Sequence, residues 1–287
     1  MERNGGCRRQ GVGSPLPHWE QKENKMKWKL RHTLTLLALC LLSCSCSVKE
    51  DRQPCPCWLD VVVNGCLPLS RNLTVSAWNG AAVFTEGIDI LDYPDYYERT
   101  VPKGYVTVAA FAGRIVQEME GESLVIPDGK PCDSLFVHHA LVDCRGEFAR
   151  DTVVLHKQFA TVYLRIDNLA DGETYPYDLV LNSSFDGLRI TDCSPHGGPW
   201  TFTLKSLTDG SYRFRVPRQG DGSLTLDLYM EGNFIDSYPI GEHIIKAGYS
   251  WLSEDLDDIH ISMDYGRSEP HIIIDPWGDG AVYDEVI

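Results

Sequence analysis

The feature that most constrains this chain is a long succession of short apolar runs, each closed by turn residues. Trp58–Val63 is rich in β-branched residues and stops at Asn64-Gly65. Leu73–Trp78 alternates and stops at Asn79-Gly80. Period-two alternation broken by Asn-Gly reads as strand, turn, strand. Ala82–Phe84, Ile88–Leu91, Tyr105–Phe111, Ser123–Ile126, Leu135–Val142 and Thr152–Leu155 continue the series. A second series opens at His156-Lys157-Gln158-Phe159. It runs through Ala160–Ile166, Tyr177–Leu181, Leu188–Ile190, Thr201–Leu207, Ser211–Val216, Leu224–Met230, Phe234–Ile240 and His243–Lys246, and closes with Ile259–Tyr265 and His271–Ile274. Helical character is confined to Arg114–Glu120 and Trp251–Ile259, and Asp92–Arg99 reads as an acidic, tyrosine-rich loop. Short strands at a spacing of roughly 8–12 residues indicate β-sandwiches. The expectation is an all-β protein with one sandwich over 58–150 and another over 151–287. No tandem repeat of 20–50 residues breaks this pattern.

A different pattern precedes the strands. Lys27, Lys29 and Arg31 lead into an apolar run, Leu34–Leu42, and Leu41-Leu42-Ser43-Cys44 closes it. A spanning helix needs about 20 apolar residues, and this run is about half that. A basic start, a short apolar core and a small-residue exit make a secretory signal. Leu-Leu-Ser-Cys matches a bacterial lipobox, where the cysteine thiol forms a thioether to diacylglycerol and becomes the first residue. Cys44 is the expected lipid-bearing residue, with Cys46 as the alternative. Cys40 follows the large Leu39 and is rejected. One buried chain anchors weakly, and stable attachment takes more than one; a diacylated, N-acylated cysteine supplies three. The expected division is a leader and signal over 1–43, with Met26 as the expected start, and a lipidated tether over 44–57.

Of the 26 Lys and Arg and 41 Asp and Glu, the first 43 residues hold eight and three. The remainder carries 18 cations and 38 anions, a net charge of −20. Such a surface repels nucleic acid, which excludes that class of partner. The chain has ten cysteines. Export to an oxidising compartment favours pairing, and Cys132 and Cys144, flanking the run Leu135–Val142, are the candidate pair. Cys55-Pro56-Cys57 is too tight for an easy internal bond. Cys55, Cys57 and Cys66 lack the paired spacing and the histidines of a zinc site.

No catalytic constellation emerges. His138 and His139 are neighbours on a strand and face opposite sides. His156 opens a strand and reads as structural or solvated. His196-Gly197-Gly198-Pro199 has no nucleophile elbow. Asp255, Asp257 and Asp258 lack the order of a calcium loop and read as an acidic surface. Tyr93, Tyr96 and Tyr97 offer rings for stacking on a sugar, though a plain tyrosine-rich turn is the commoner reading. Asp133-Ser134-Leu135 and Asp151-Thr152-Val153 fit a short O-glycosylation pattern. No enzymatic activity and no cofactor are expected.

Three stretches together carry a family resemblance. They are Cys44 through Cys57-Trp58-Leu59, Leu155 through Thr161, and Gly248-Tyr249-Ser250-Trp251 leading into Asp255–Asp258 and Ile259–Tyr265. The chain resembles the FimB-type fimbrial anchor subunits of Bacteroidetes, a lipoprotein family. The resemblance implies two transthyretin-like β-sandwich domains and an outer-membrane anchor through the lipidated cysteine. It also implies a fimbrial shaft subunit as partner, held by strand addition at an exposed sheet edge. Within it, Lys49, Glu50 and Asp51 resemble the acidic signal that directs lipoproteins to the outer face. The alternative is a carbohydrate-binding surface lipoprotein of a glycan-uptake system.

Overall fold

The computed structural model describes residues 55–167, 175–264, 270–275 and 283–285. Cys44, Cys46, Lys49, Glu50 and Asp51 lie outside the described residues. From Gln53 onward the chain forms one unit. Among the described residues it is all-β apart from two single-turn 3-10 segments and one short helix, as the turn-punctuated runs predict.

The first half holds two facing sheets. Strands β1 (Cys57–Val62), β2 (Asn72–Trp78), β3 (Ala82–Asp89), β4 (Tyr97–Val101), β5 (Tyr105–Ala112), β6 (Glu118–Glu120), β7 (Ser123–Val125), β8 (Phe136–Asp143), β9 (Phe148–Thr152) and β10 (His156–Lys157) follow in order. β1 lies between β4, antiparallel, and β9, parallel. The facing sheet runs β10-β8-β5-β2-β3. Alternation does the packing: Leu59 and Val61 of β1 are fully buried against Val75 and Ala77 of β2 and Val106 and Val108 of β5 in one core. β4 was expected as loop. Its Tyr97 and Val101 point into that core while Glu98 faces water, so a five-residue alternation hid in an acidic context.

The second half repeats the arrangement. It comprises β11 (Phe159–Asp167), β12 (Asp178–Arg189), β13 (Pro195–Thr203), β14 (Tyr212–Pro217), β15 (Thr225–Met230), β16 (Asn233–Tyr238), β17 (Asp258–Asp264), β18 (Pro270–Asp275) and β19 (Tyr283–Glu285). Its opening strand β11 again sits between an antiparallel neighbour, β14, and a parallel one, β17. Across the core from it lie β12, β13 and β15, with Trp200, Leu181 and Leu226 buried against Val162, Phe214 and Ile261.

Arg114–Glu120 runs as a bend into β6 rather than as a helix, and a helix and a boundary also differ from the sequence reading. The segment 243–246 is not a strand: Ile240–Lys246 is helix α1, because Ile240 and Ile244 bury one helical face. Gly248, at φ +91, stops it with a left-handed turn. Trp251–Leu256 is correspondingly an irregular turn rather than a helical one.

A further difference concerns the boundary. The hairpin β6–β7 precedes residue 150 but pairs with β12 of the second half, Leu124 opposite Leu188. A third buried cluster forms there. Ala109, Phe111, Leu135 and Val137, from the far face of the first half's sheet, pack on Leu124, Leu188 and Ile190. The sheets therefore do not divide at residue 150.

The pairing expected between Cys132 and Cys144 is not formed. Both thiols are free and buried, but Cys132 packs in the second-half core and Cys144 in the first-half core. Flanking one strand placed them at opposite ends of β8, whose eight residues separate the two ends too far for a bond.

Candidate functional site

A cleft of about 1240 Å³ opens where the two halves meet. Its walls come from β8 (His138, His139), the segment around β10 (Val154, His156, Gln158), the turn 192–195, the segment 218–221 after β14, and α1 with the turn behind it (Ile245, Tyr249–Glu254). Strands supply the frame and turns the lining, the usual division in a sandwich.

The floor is a polar clamp. Arg218 is buried, and its Nε donates to Gln158 Oε1 at 3.0 Å. Its terminal nitrogens donate to the carbonyls of Trp251, Ser253 (2.7 Å) and Glu254 (3.3 Å). Burial lowers the Arg218 pKa. This guanidinium serves as a staple for the 251–254 turn, because all four bonds go to that turn or to the glutamine beside it. Gln158 Nε2 adds a bond to the Glu254 carbonyl at 3.1 Å.

Next to it lies a carboxylate clamp. Asp255 accepts the Lys157 backbone N–H at 2.6 Å and contacts His156 Nδ1 at 3.1 Å. The fully buried Lys157 ammonium donates to Asp258 Oδ1 at 2.5 Å, and the same oxygen accepts the Thr161 N–H at 3.1 Å. Asp255 and Asp258 are therefore not the acidic surface expected from sequence. They tie β10, at the end of the first half, to the turn before β17 and to the first residue of that strand.

On the opposite wall, His138 and His139 face different partners. His138 Nε2 meets Asp151 at 3.0 Å, and its Nδ1 accepts the Val154 N–H at 3.2 Å. His139 Nδ1 meets Cys193 Sγ at 3.3 Å. Burial pushes the Cys193 thiol up to about 12 and lowers the His139 pKa. Both shifts favour a neutral S–H···N contact over the thiolate–imidazolium pair that a cysteine nucleophile needs. Among the described residues no cluster of three or more metal-binding side chains forms.

The fold is shared with solved structures of low sequence identity. A crystal structure described as a candidate polysaccharide-binding protein from Bacteroides thetaiotaomicron matches at TM-score 0.53 and 14% identity, over 80% of this chain and 98% of that one. The fimbrial anchor protein Mfa2 from Porphyromonas gingivalis matches at TM-score 0.51 and 14% identity, over 81% and 100%. A candidate adhesin from Bacteroides ovatus matches at TM-score 0.50 and 12% identity, over 81% and 96%. No protein-family profile and no curated protein matches the sequence. At these identities the likeness establishes the fold.

The tyrosines expected as a loop are split by that fold. Tyr97 is buried, donates to Glu86 at 2.9 Å and lies under the Arg99 guanidinium, 4.6 Å from its ring centre. Tyr93 packs edge-on against it at 5.1 Å, leaving Tyr96 as the exposed ring of the three. Of the two short glycosylation patterns, Thr152 is exposed and Ser134 is half-buried. The cleft itself escaped the sequence reading. The signal that pointed to it was the pair of stretches Leu155–Thr161 and Gly248–Asp258, which meet in the two clamps.

Proposed function

We propose that this protein is a non-enzymatic surface lipoprotein that anchors or caps a fimbrium. The observation that supports this most is the fold likeness to the fimbrial anchor Mfa2 across that whole protein. In this reading Cys44 carries the lipid in the outer membrane, residues 45–57 are the tether, and a fimbrial shaft subunit docks by strand addition. Strand β16 suits that mode. It is a sheet edge, and its Phe234 and Ile235 are exposed, so its unpaired backbone gives a template and its side chains an apolar grip. Recovery of the lipidated protein from cell envelopes, with partners identified by mass, tests the reading. A co-recovered shaft subunit supports it. Recovery of glycan-uptake proteins without any fimbrial subunit overturns it.

A second reading, glycan binding in the cleft, has one observation in its favour. The Trp251 indole N–H lies buried in the cleft wall without a hydrogen-bond partner among the described residues. Against it, Trp251 and Tyr249 are buried and stacked edge-on at 4.7 Å, so neither presents a face for a sugar ring. A glycan array probed with the purified protein separates the two readings.

A further inference from the structure

Cys55-Pro56-Cys57 is the one motif that the anchor reading leaves without a role. Its two cysteines differ completely in setting: Cys55 is exposed, whereas Cys57 opens β1 and is fully buried. The backbone brings another cysteine to the same corner. Cys57 is opposite Val101, the last residue of β4. Three residues on, the Gly104 carbonyl accepts the Cys144 N–H at 2.7 Å. From the other side, the Trp58 N–H donates to the Glu147 carbonyl at 2.9 Å, and Lys103 Nζ to the Gly146 carbonyl at 2.7 Å. β1 is thus laced to the 143–147 turn within one residue of Cys57. Both sulfurs are at zero exposure in the same core. Burial, followed by the charge of and a hydrogen bond with Cys57, pushes the Cys144 thiol up to about 12.

We propose that Cys57 and Cys144 form a disulfide in the exported protein, stapling the strand that receives the tether to the opposite sheet. The proposal rests on the exported-lipoprotein reading, because such bonds persist only in an oxidising compartment. Two thiols lose two protons and two electrons to become one S–S bond. The electrons reduce the disulfide of a thiol oxidoreductase through a mixed-disulfide exchange. The exchange precedes final packing of β1, and the closed core then shields the product from reductants. The arrangement has a mechanical consequence. Load on the tether enters at Cys57, and without the staple it falls on the hydrogen bonds of β1. With the staple it passes directly to the end of β8 in the facing sheet.

The full chain recovered from cell envelopes is denatured, treated with iodoacetamide without reductant, and digested. The expected result is a linked peptide pair holding Cys57 and Cys144, lighter than the free pair by two hydrogens and split by reduction. Cys66 and Cys132, which are buried against the Val153 and Asp133 carbonyls, are expected fully alkylated in the same sample. Envelope protein with both Cys57 and Cys144 alkylated, or with Cys55 linked to Cys144 instead, overturns the proposal. Protein found inside the cell overturns the export reading and with it the bond, and the fraction tells the two failures apart. A thermal comparison of Cys57→Ala, Cys144→Ala and the double variant supplies a second check. Each single variant is expected to lose the full midpoint shift of the double; additive losses overturn the bond.

Discussion

The Lys157 side chain lies at zero exposure, paired with Asp258 at 2.5 Å and set over the Phe159 ring at 5.1 Å. Removing one partner of a buried pair is costly because it strands the other charge. Asp258 keeps about a quarter of its side chain exposed, which softens the effect. Lys157→Met is therefore expected to lose about 2–3 kcal/mol in urea unfolding. Asp258→Asn added to it removes the stranded charge and still accepts the Thr161 N–H, so part of the loss returns. A single variant as stable as the parent would refute the clamp. His139 gives a pH prediction. Burial, followed by the charge of His138, lowers its folded pKa, so the unfolded chain takes up a proton that the folded one refuses. Stability then falls as pH drops through about 6.5 and is unaffected above it. His139→Asn is expected to flatten that part of the profile. At this scale the sequence was only half legible. Strand alternation correctly sends His138 and His139 to different partners, but no local pattern tells that Asp255 and Asp258 reach back about a hundred residues to Lys157. Such long-range pairing has no signature in spacing.

Among the elements, the hairpin β6–β7 is the piece whose placement the sequence conceals. Its three-residue strands carry too little alternation to declare a partner, and β8, β9, β10 and β11 intervene before β12. What admits it is Gly187 in β12. A Cβ there would come within 2.0 Å of the Leu124 carbonyl oxygen, so only glycine lets the hairpin lie this close. Gly187→Ala is expected to force β7 off β12, at about 1–3 kcal/mol, and to raise amide exchange across 118–125 while the β1–β4–β9 sheet keeps its protection. Uniform exchange throughout would count against a local cause. Helix α1 is the complementary case. Its stop signal at Gly248 and its Ile240–Ile244 face were present in the sequence. The adjacent β-branched pair Ile244-Ile245 outweighed them, because a four-residue window cannot separate the two periodicities.

For the whole molecule, strand counts and turn spacing are enough to declare an all-β sandwich, yet they cut the chain where its cores do not separate. Two halves that each open with a strand between an antiparallel and a parallel neighbour look like independent domains. Three features bind them: the transferred hairpin, the clamp between 155–161 and 254–258, and the cluster around Phe111, 1% exposed. Phe111 touches neither sandwich core. It fills the space between the far face of one sheet and Leu124, Leu188 and Ile190, so its loss opens a void that only rigid sheets surround. Phe111→Ala is expected to cost about 3–5 kcal/mol, and the manner of the loss is informative. If the shared cluster couples the halves, the parent shows one calorimetric transition and the variant splits into two, with the second-half core melting apart from the first. Two transitions already present in the parent would mean that each half folds on its own, and that a partner strand on β16 stabilises only the half it joins. A single transition that shifts without splitting would assign the coupling to the Lys157 and Asp255 contacts instead.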